Sequence, residues 1–107
     1  MKRGSVVIAA ERGSYAGKPR PWLIIQNAEM LENASSITAC AISSDALEAS
    51  FRIALDATPD NGLERRSLVL VDKIITLRAE SIVREAGAID EDTMRVVDAE
   101  LRFWLDL

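Results

Sequence analysis

Short apolar runs rich in Val and Ile, separated by polar breaks, fill the chain to about residue 89, and one uninterrupted amphipathic stretch follows. Strands first and a single helix last restrict the chain to an α+β or small-barrel architecture with sequential strands antiparallel. Residues 6–9 and 22–25 read as strands on either side of a polar loop, 10–20, punctuated by Gly13, Gly17 and Pro19. Residues 37–42 read as another strand, closing at Ser43-Ser44-Asp45, and 51–55 alternate in period two like a half-exposed one. Thr58-Pro59-Asp60-Asn61-Gly62 is a turn cluster whose sharpest signal is Asn-Gly. Residues 67–71 and 73–77 form two strands or one bent strand, and 79–89 fit either a helical turn or a short strand broken near Gly87. Asp90 is then an N-cap, with Glu91 and Asp92 at the positive end of the helix dipole. Met94, Val97, Leu101 and Trp104 make one apolar stripe. Val96, Ala99 and Phe103 widen it enough to face both the chain's own sheet and another subunit.

Composition narrows the function. A 49% hydrophobic, 28% charged chain of 107 residues supports a compact core in one domain, 1–107. With only 5% aromatics that core is modest, so a partner subunit would add stability. The net charge of −4 excludes a uniformly basic nucleic-acid binder. The charge is uneven, however. Residues 1–26 carry five basic groups against Glu11 alone, net +4, whereas 27–107 carry eight basic and sixteen acidic groups, net −8. Such asymmetry fits either an anionic ligand at one end or a solvated basic loop. The chain has no His and one Cys, which excludes a disulfide framework, a multi-cysteine zinc site and a histidine general base. Cys40, inside an apolar strand, reads as a buried small residue rather than a nucleophile. No apolar run approaches the roughly 18 residues of a membrane span, and the N-terminus turns charged too soon for a signal peptide. A cytoplasmic protein without a membrane partner is therefore expected.

There is no Walker loop, dinucleotide fingerprint, H-E-x-x-H or G-x-S-x-G. Asp90-Glu91-Asp92 reads as a helix start rather than a cation site. What stands out is Gly13-Ser14-Tyr15-Ala16-Gly17-Lys18-Pro19-Arg20-Pro21, followed by an apolar strand and Gln26-Asn27. This unit resembles the PemK/MazF toxins of type II toxin–antitoxin systems. The likeness extends to Lys2-Arg3-Gly4 before the first strand and to Ala41-Ile42-Ser43-Ser44, where a strand delivers a hydroxyl residue. It continues through the block from Gly62 to Leu77 and the terminal stretch from Gly87 to Leu101.

The resemblance implies a small twisted antiparallel β-sheet or partial, SH3-like barrel with a C-terminal α-helix, assembled as a homodimer. It also implies a sequence-specific, metal-independent endoribonuclease that needs no cofactor, cuts single-stranded RNA and is silenced by a cognate antitoxin. The family's catalytic Arg falls on Arg20 and its hydroxyl partner on Ser43, with RNA contacts from Ser14, Tyr15, Lys18, Gln26 and Ser44. Pro19 and Pro21 restrain the backbone around Arg20, and a guanidinium fork matches a phosphate bidentately. The sequence does not identify the general base; Glu11 and Tyr15 are candidates. Tyr15 stands where many members carry Glu, Ser43 where Thr is commoner, and Ser5 where an Asp often follows the opening Gly. Two alternatives share the fold: a non-enzymatic CcdB-like toxin that binds a protein target such as DNA gyrase through the Trp104 region, and a catalytically degenerate member.

Overall fold

The computed structural model describes residues 1–11 and 18–107. Six strands form one antiparallel sheet: β1 (Ser5–Ala9), β2 (Arg20–Ile24), β3 (Ser36–Ser43), β4 (Arg52–Leu55), β5 (Ser67–Arg78) and β6 (Ile82–Ala88). Their order is β4-β5-β3-β2-β1-β6, and among the described residues the edge strands do not pair with each other, so the sheet stays open. Helix α1 (Glu91–Leu105) follows β6. This is the antiparallel sheet with a C-terminal helix that the sequence leads one to expect. None of the described helices is long and apolar enough to cross a membrane.

The central strands are buried on both faces. Neighbouring residues point to opposite sides of a sheet. Val7, Trp22 and Ala41 accordingly belong to one apolar cluster, and Val6, Leu23 and Cys40 to a second. Val97 and Leu101 of α1 cover the second cluster, while Leu31 and Ala79 from the connecting segments and Ile82 at the start of β6 pack on the first. Two-sided burial explains why β1 to β3 read as continuous apolar runs rather than alternating ones. On α1, Val97 and Leu101 face the sheet, whereas Val96, Ala99 and Phe103 are exposed. Trp104 stacks obliquely on Phe51, ring centroids 5.1 Å apart.

Residues 67–77 are one bent strand. Cys40 pairs with Ile74, but Ala41 pairs with Leu70, so one step on β3 spans four on β5 and the bend falls between them. Asp72 lies in the bend and is gripped bidentately by Arg52 of β4, at 3.2 Å from Nε and 2.9 Å from Nη2. Those hydrogen bonds hold the Asp72 carboxyl below the usual carboxylate range.

The expected break near Gly87 is absent: Ala79–Ser81 is a 3₁₀ turn, and β6 runs on through Gly87. Glycine is required there by close packing. A Cβ on Gly87 would lie 2.1 Å from the Asp60 carbonyl oxygen, and one on Gly62, whose φ is +69°, 2.2 Å from that of Ala86. The 58–62 turn thus lies backbone against backbone on β6, with the Ala88 amide donating to the Asp60 carbonyl at 2.9 Å. Asn61 braces the turn from inside: its side-chain oxygen accepts the amides of Thr58 and Leu63, and its Nδ2 donates to the Asp56 carbonyl. At the helix start, Asp90 accepts the Thr93 amide at 2.6 Å, as an N-cap should.

Gly87→Ala is expected to cost about 3 kcal/mol, at the upper end of what forced overpacking costs, whereas Asp90→Ala loses one cap and lowers the melting temperature less. Thermal melts of the two variants check the ranking. The Arg52–Asp72 pair stabilises the fold above the ordinary Asp value of 3.8. Because the folded value is depressed, this contribution disappears as pH falls from there through the lower folded value. Acid titrations should therefore show a shallower loss of stability for Asp72→Asn than for the parent chain.

Candidate active site

Trp22, Leu23 and Ile24 pair with Ala41, Cys40 and Ala39. Carried two residues further, that register sets Arg20, the first residue of β2, opposite Ser43, the last of β3. Both line a cleft of about 430 Å³ at this end of the sheet. Its apolar lining includes Ile8, Pro21 and Ile42; Ile8 pairs directly with Pro21. Opposite stand Gly62 to Arg65 from the segment before β5, Ser67 at the start of β5, and Arg84 from β6. The packing of Gly62 on β6 therefore positions one wall of the cleft.

Chemically, the cleft joins donors to a positive field. Arg20, Arg65 and Arg84 contribute three guanidinium groups against the carboxylates of Asp45 and Glu64. Arg65 and Arg84 form no ion pair among the described residues. The Ser67 hydroxyl donates to the Arg65 carbonyl at 3.0 Å, fixing that loop where it meets β5. Ser43 Oγ accepts the Asp45 amide at 3.1 Å. A hydroxyl has one hydrogen to give, and that of Ser43 is not spent on any described residue.

The other residues singled out in the sequence are distributed differently. Ser44 lines the cleft. Lys18 is exposed and precedes Pro19, which lines it. Ser14 and Tyr15 lie outside the described residues. Gln26 follows the far end of β2, and its side chain is committed internally: Nε2 donates to the Met30 carbonyl at 2.6 Å and Oε1 accepts the Thr38 amide at 2.8 Å. Glu11 accepts the Ser81 hydroxyl and the Arg78 amide at the 3₁₀ turn before β6. Ser5 is buried and donates to Glu85. Arg65, Arg84, Asp45 and Glu64 escaped the sequence reading. The Arg65-Arg66 pair just after a turn was the available signal for the first; β6 was too ambiguous to place Arg84.

The described residues thus form a small open antiparallel sheet with guanidinium and hydroxyl groups around a cleft at its strand ends. Residues 2–105 match the model of the PemK-like, MazF-like toxins of type II toxin-antitoxin systems, and the chain belongs to that family. A relative from Mycolicibacterium smegmatis named as a probable endoribonuclease MazF is 36% identical over 107 residues, covering 100% of this chain and 98% of its own. The Mycobacterium tuberculosis toxin MazF-mt6 superimposes with a TM-score of 0.82 at 21% identity, over 96% of this chain and 97% of its own. MazF from Deinococcus radiodurans, solved with MazE, gives 0.80 at 22% identity, over 100% and 97%. An endoribonuclease in complex with its cognate antitoxin, from a mycobacterial species, gives 0.78 at 22%, over 100% and 94%.

Cys40 stands apart from the cleft. It is wholly buried in β3, and desolvation pushes its thiol up to about 12. The native chain should therefore leave an aromatic disulfide reagent unreacted at neutral pH and consume one equivalent once unfolded; rapid native labelling would show that the strand opens.

Proposed function

We propose that this chain is a single-domain toxin acting as a sequence-specific endoribonuclease on single-stranded RNA, with Arg20 and Ser43 as its catalytic pair. The observation that carries this reading is their shared cleft, to which the β2–β3 register brings them from residues far apart in sequence. A guanidinium can grip two phosphate oxygens, and the serine hydroxyl can add a third donor. In the reaction the ribose 2′-oxygen attacks the adjacent phosphorus, charge builds on the equatorial oxygens, and these donors stabilise it without reorganising. The products are a 2′,3′-cyclic phosphate and a 5′-hydroxyl. DNA is refused because it has no 2′-hydroxyl. A guanidinium is a donor with no acceptor, so Arg20 serves as phosphate stabiliser rather than base. Ser44 and Lys18, with Ser14 and Tyr15 of the preceding loop, extend the RNA contacts. Gln26 supports the fold of the strand that carries Arg20.

The chemistry requires no metal or cofactor. We further propose that the toxin works in the cytoplasm as a homodimer and is silenced by a cognate antitoxin. An acidic antitoxin segment that folds on binding would suit the basic side of the cleft.

Incubation with single-stranded RNA in EDTA should yield fragments with 5′-hydroxyl ends. Arg20→Ala should retain the fold and lower cleavage by about 10²–10³-fold or more, the effect of losing one transition-state donor. Ser43→Ala should fall as well, and Ser43→Thr should retain activity. Cleavage by Arg20→Ala at the parent rate removes the proposed role.

A further inference from the structure

We propose that Asp45 is the general base of the reaction, taking the proton from the attacking 2′-hydroxyl; this rests on the RNA-cleavage reading above. The chain has no histidine, so another side chain must accept that proton. Glu11, the carboxylate closest in sequence to Arg20, does not line the cleft and is engaged by the Ser81 hydroxyl and the Arg78 amide at the 3₁₀ turn before β6. Among the described residues only two carboxylates line the cleft, Asp45 and Glu64.

Asp45 is the better placed of the two. Its own backbone amide donates to Ser43 Oγ at 3.1 Å, so its carboxylate sits two residues from the catalytic hydroxyl in one hydrogen-bonded turn. A phosphate held by Ser43 therefore has the Asp45 carboxylate attached to the same rigid unit. Asp also has only two side-chain torsions to order, whereas Glu64 is longer and enters from the segment before β5. Asp45 forms no ion pair among the described residues, which leaves its oxygens available to accept. The charged groups facing it across the cleft are Arg20 from β2, Arg84 from β6, and Arg65 with Glu64 from the segment before β5.

The step balances as follows. The 2′-O–H proton passes to an Asp45 oxygen as the 2′-oxygen bonds to phosphorus. The P–O5′ bond breaks, the leaving oxygen takes a proton from solvent, and Asp45 returns its own to solvent.

The test is single-turnover cleavage of a single-stranded RNA that the parent chain cuts, followed across the acidic and neutral pH range. Asp45→Asn preserves the backbone bond to Ser43, and its melting temperature should match the parent. Its rate should fall by about 10²–10⁴-fold, the usual share of general base catalysis. The parent's loss of rate on acidification, as the base is protonated, should disappear. Affinity for the same oligonucleotide carrying a 2′-deoxy group at the cleaved nucleotide should not change, and Asp45→Glu should recover part of the rate. Asp45→Asn cleaving at the parent rate with the parent pH limb overturns the assignment while leaving Arg20 and Ser43 in place. So does transfer of the limb to Glu64→Gln. A parent chain that cuts no RNA overturns both readings.

Discussion

The pairing of β2 on β3 is the constraint on which the site depends. Trp22 faces Ala41 and Ile24 faces Ala39, and all four belong to one apolar cluster. A slip of one residue would carry every side chain of β2 to the opposite face and expel Trp22 from that cluster. The indole adds a polar lock, donating from Nε1 to the Ala9 carbonyl at 3.2 Å. Core packing thus determines which residues emerge where the two strands end, and Arg20 and Ser43 emerge together. Their proximity is a by-product of hydrophobic registration, so it needs no direct bond between them.

The opposite wall obeys a different rule. It is built from backbone, through the contact of the 58–62 turn with β6. Backbone contacts of this kind leave no side chain to adjust, so the turn is fixed against the edge strand of the sheet itself. Arg84 stands on that strand and Arg65 follows the turn, while Arg20 and Ser43 end β2 and β3 of the same sheet. A ligand in the cleft therefore meets groups held by one hydrogen-bonded sheet and the turn packed on it, and preorganisation of this sort is what electrostatic stabilisation of a transition state requires.

Much of the fold was legible because strand periodicity and turn chemistry are local. The Asn61-Gly62 turn, the Asp90 cap and the apolar strands all followed from side-chain identity within a few residues. Gly87 was misread because its reason is nonlocal: the residue is needed by Asp60, more than twenty positions away, and not by a turn of its own. The bent β5 was left open between two forms because its bend is set by pairing with β3. Within the site, Arg20 and Ser43 came from a family resemblance, and the charged groups facing them did not. Their signal lies in which loops the sheet order brings together, which no single segment contains. Gln26 adds a part that no motif displays: beside the RNA contact the resemblance implies, its amide ties the Met30 carbonyl and the Thr38 amide together with one N–H and its oxygen.

The uneven charge takes on a spatial meaning in the folded chain. The basic N-terminal quarter supplies Arg20 and Lys18, but two of the three guanidinium groups of the cleft, Arg65 and Arg84, come from the portion that is acidic overall. Elsewhere in that portion the arginines are largely neutralised: Arg52 by Asp72, Arg66 by Glu48 and Asp56, Arg78 by Glu80, and Arg95 by Glu91 and Asp92. Pairing cancels their field at a distance, since opposite charges in contact act as a dipole. Among the described residues Arg65 and Arg84 escape this cancellation, so a polyanion approaching an acidic protein meets attraction at the strand ends. An acidic body therefore improves orientation: it discourages nonproductive contacts that a uniformly basic surface would accept, and it does so within the range of about 10 Å over which charges act at ordinary salt.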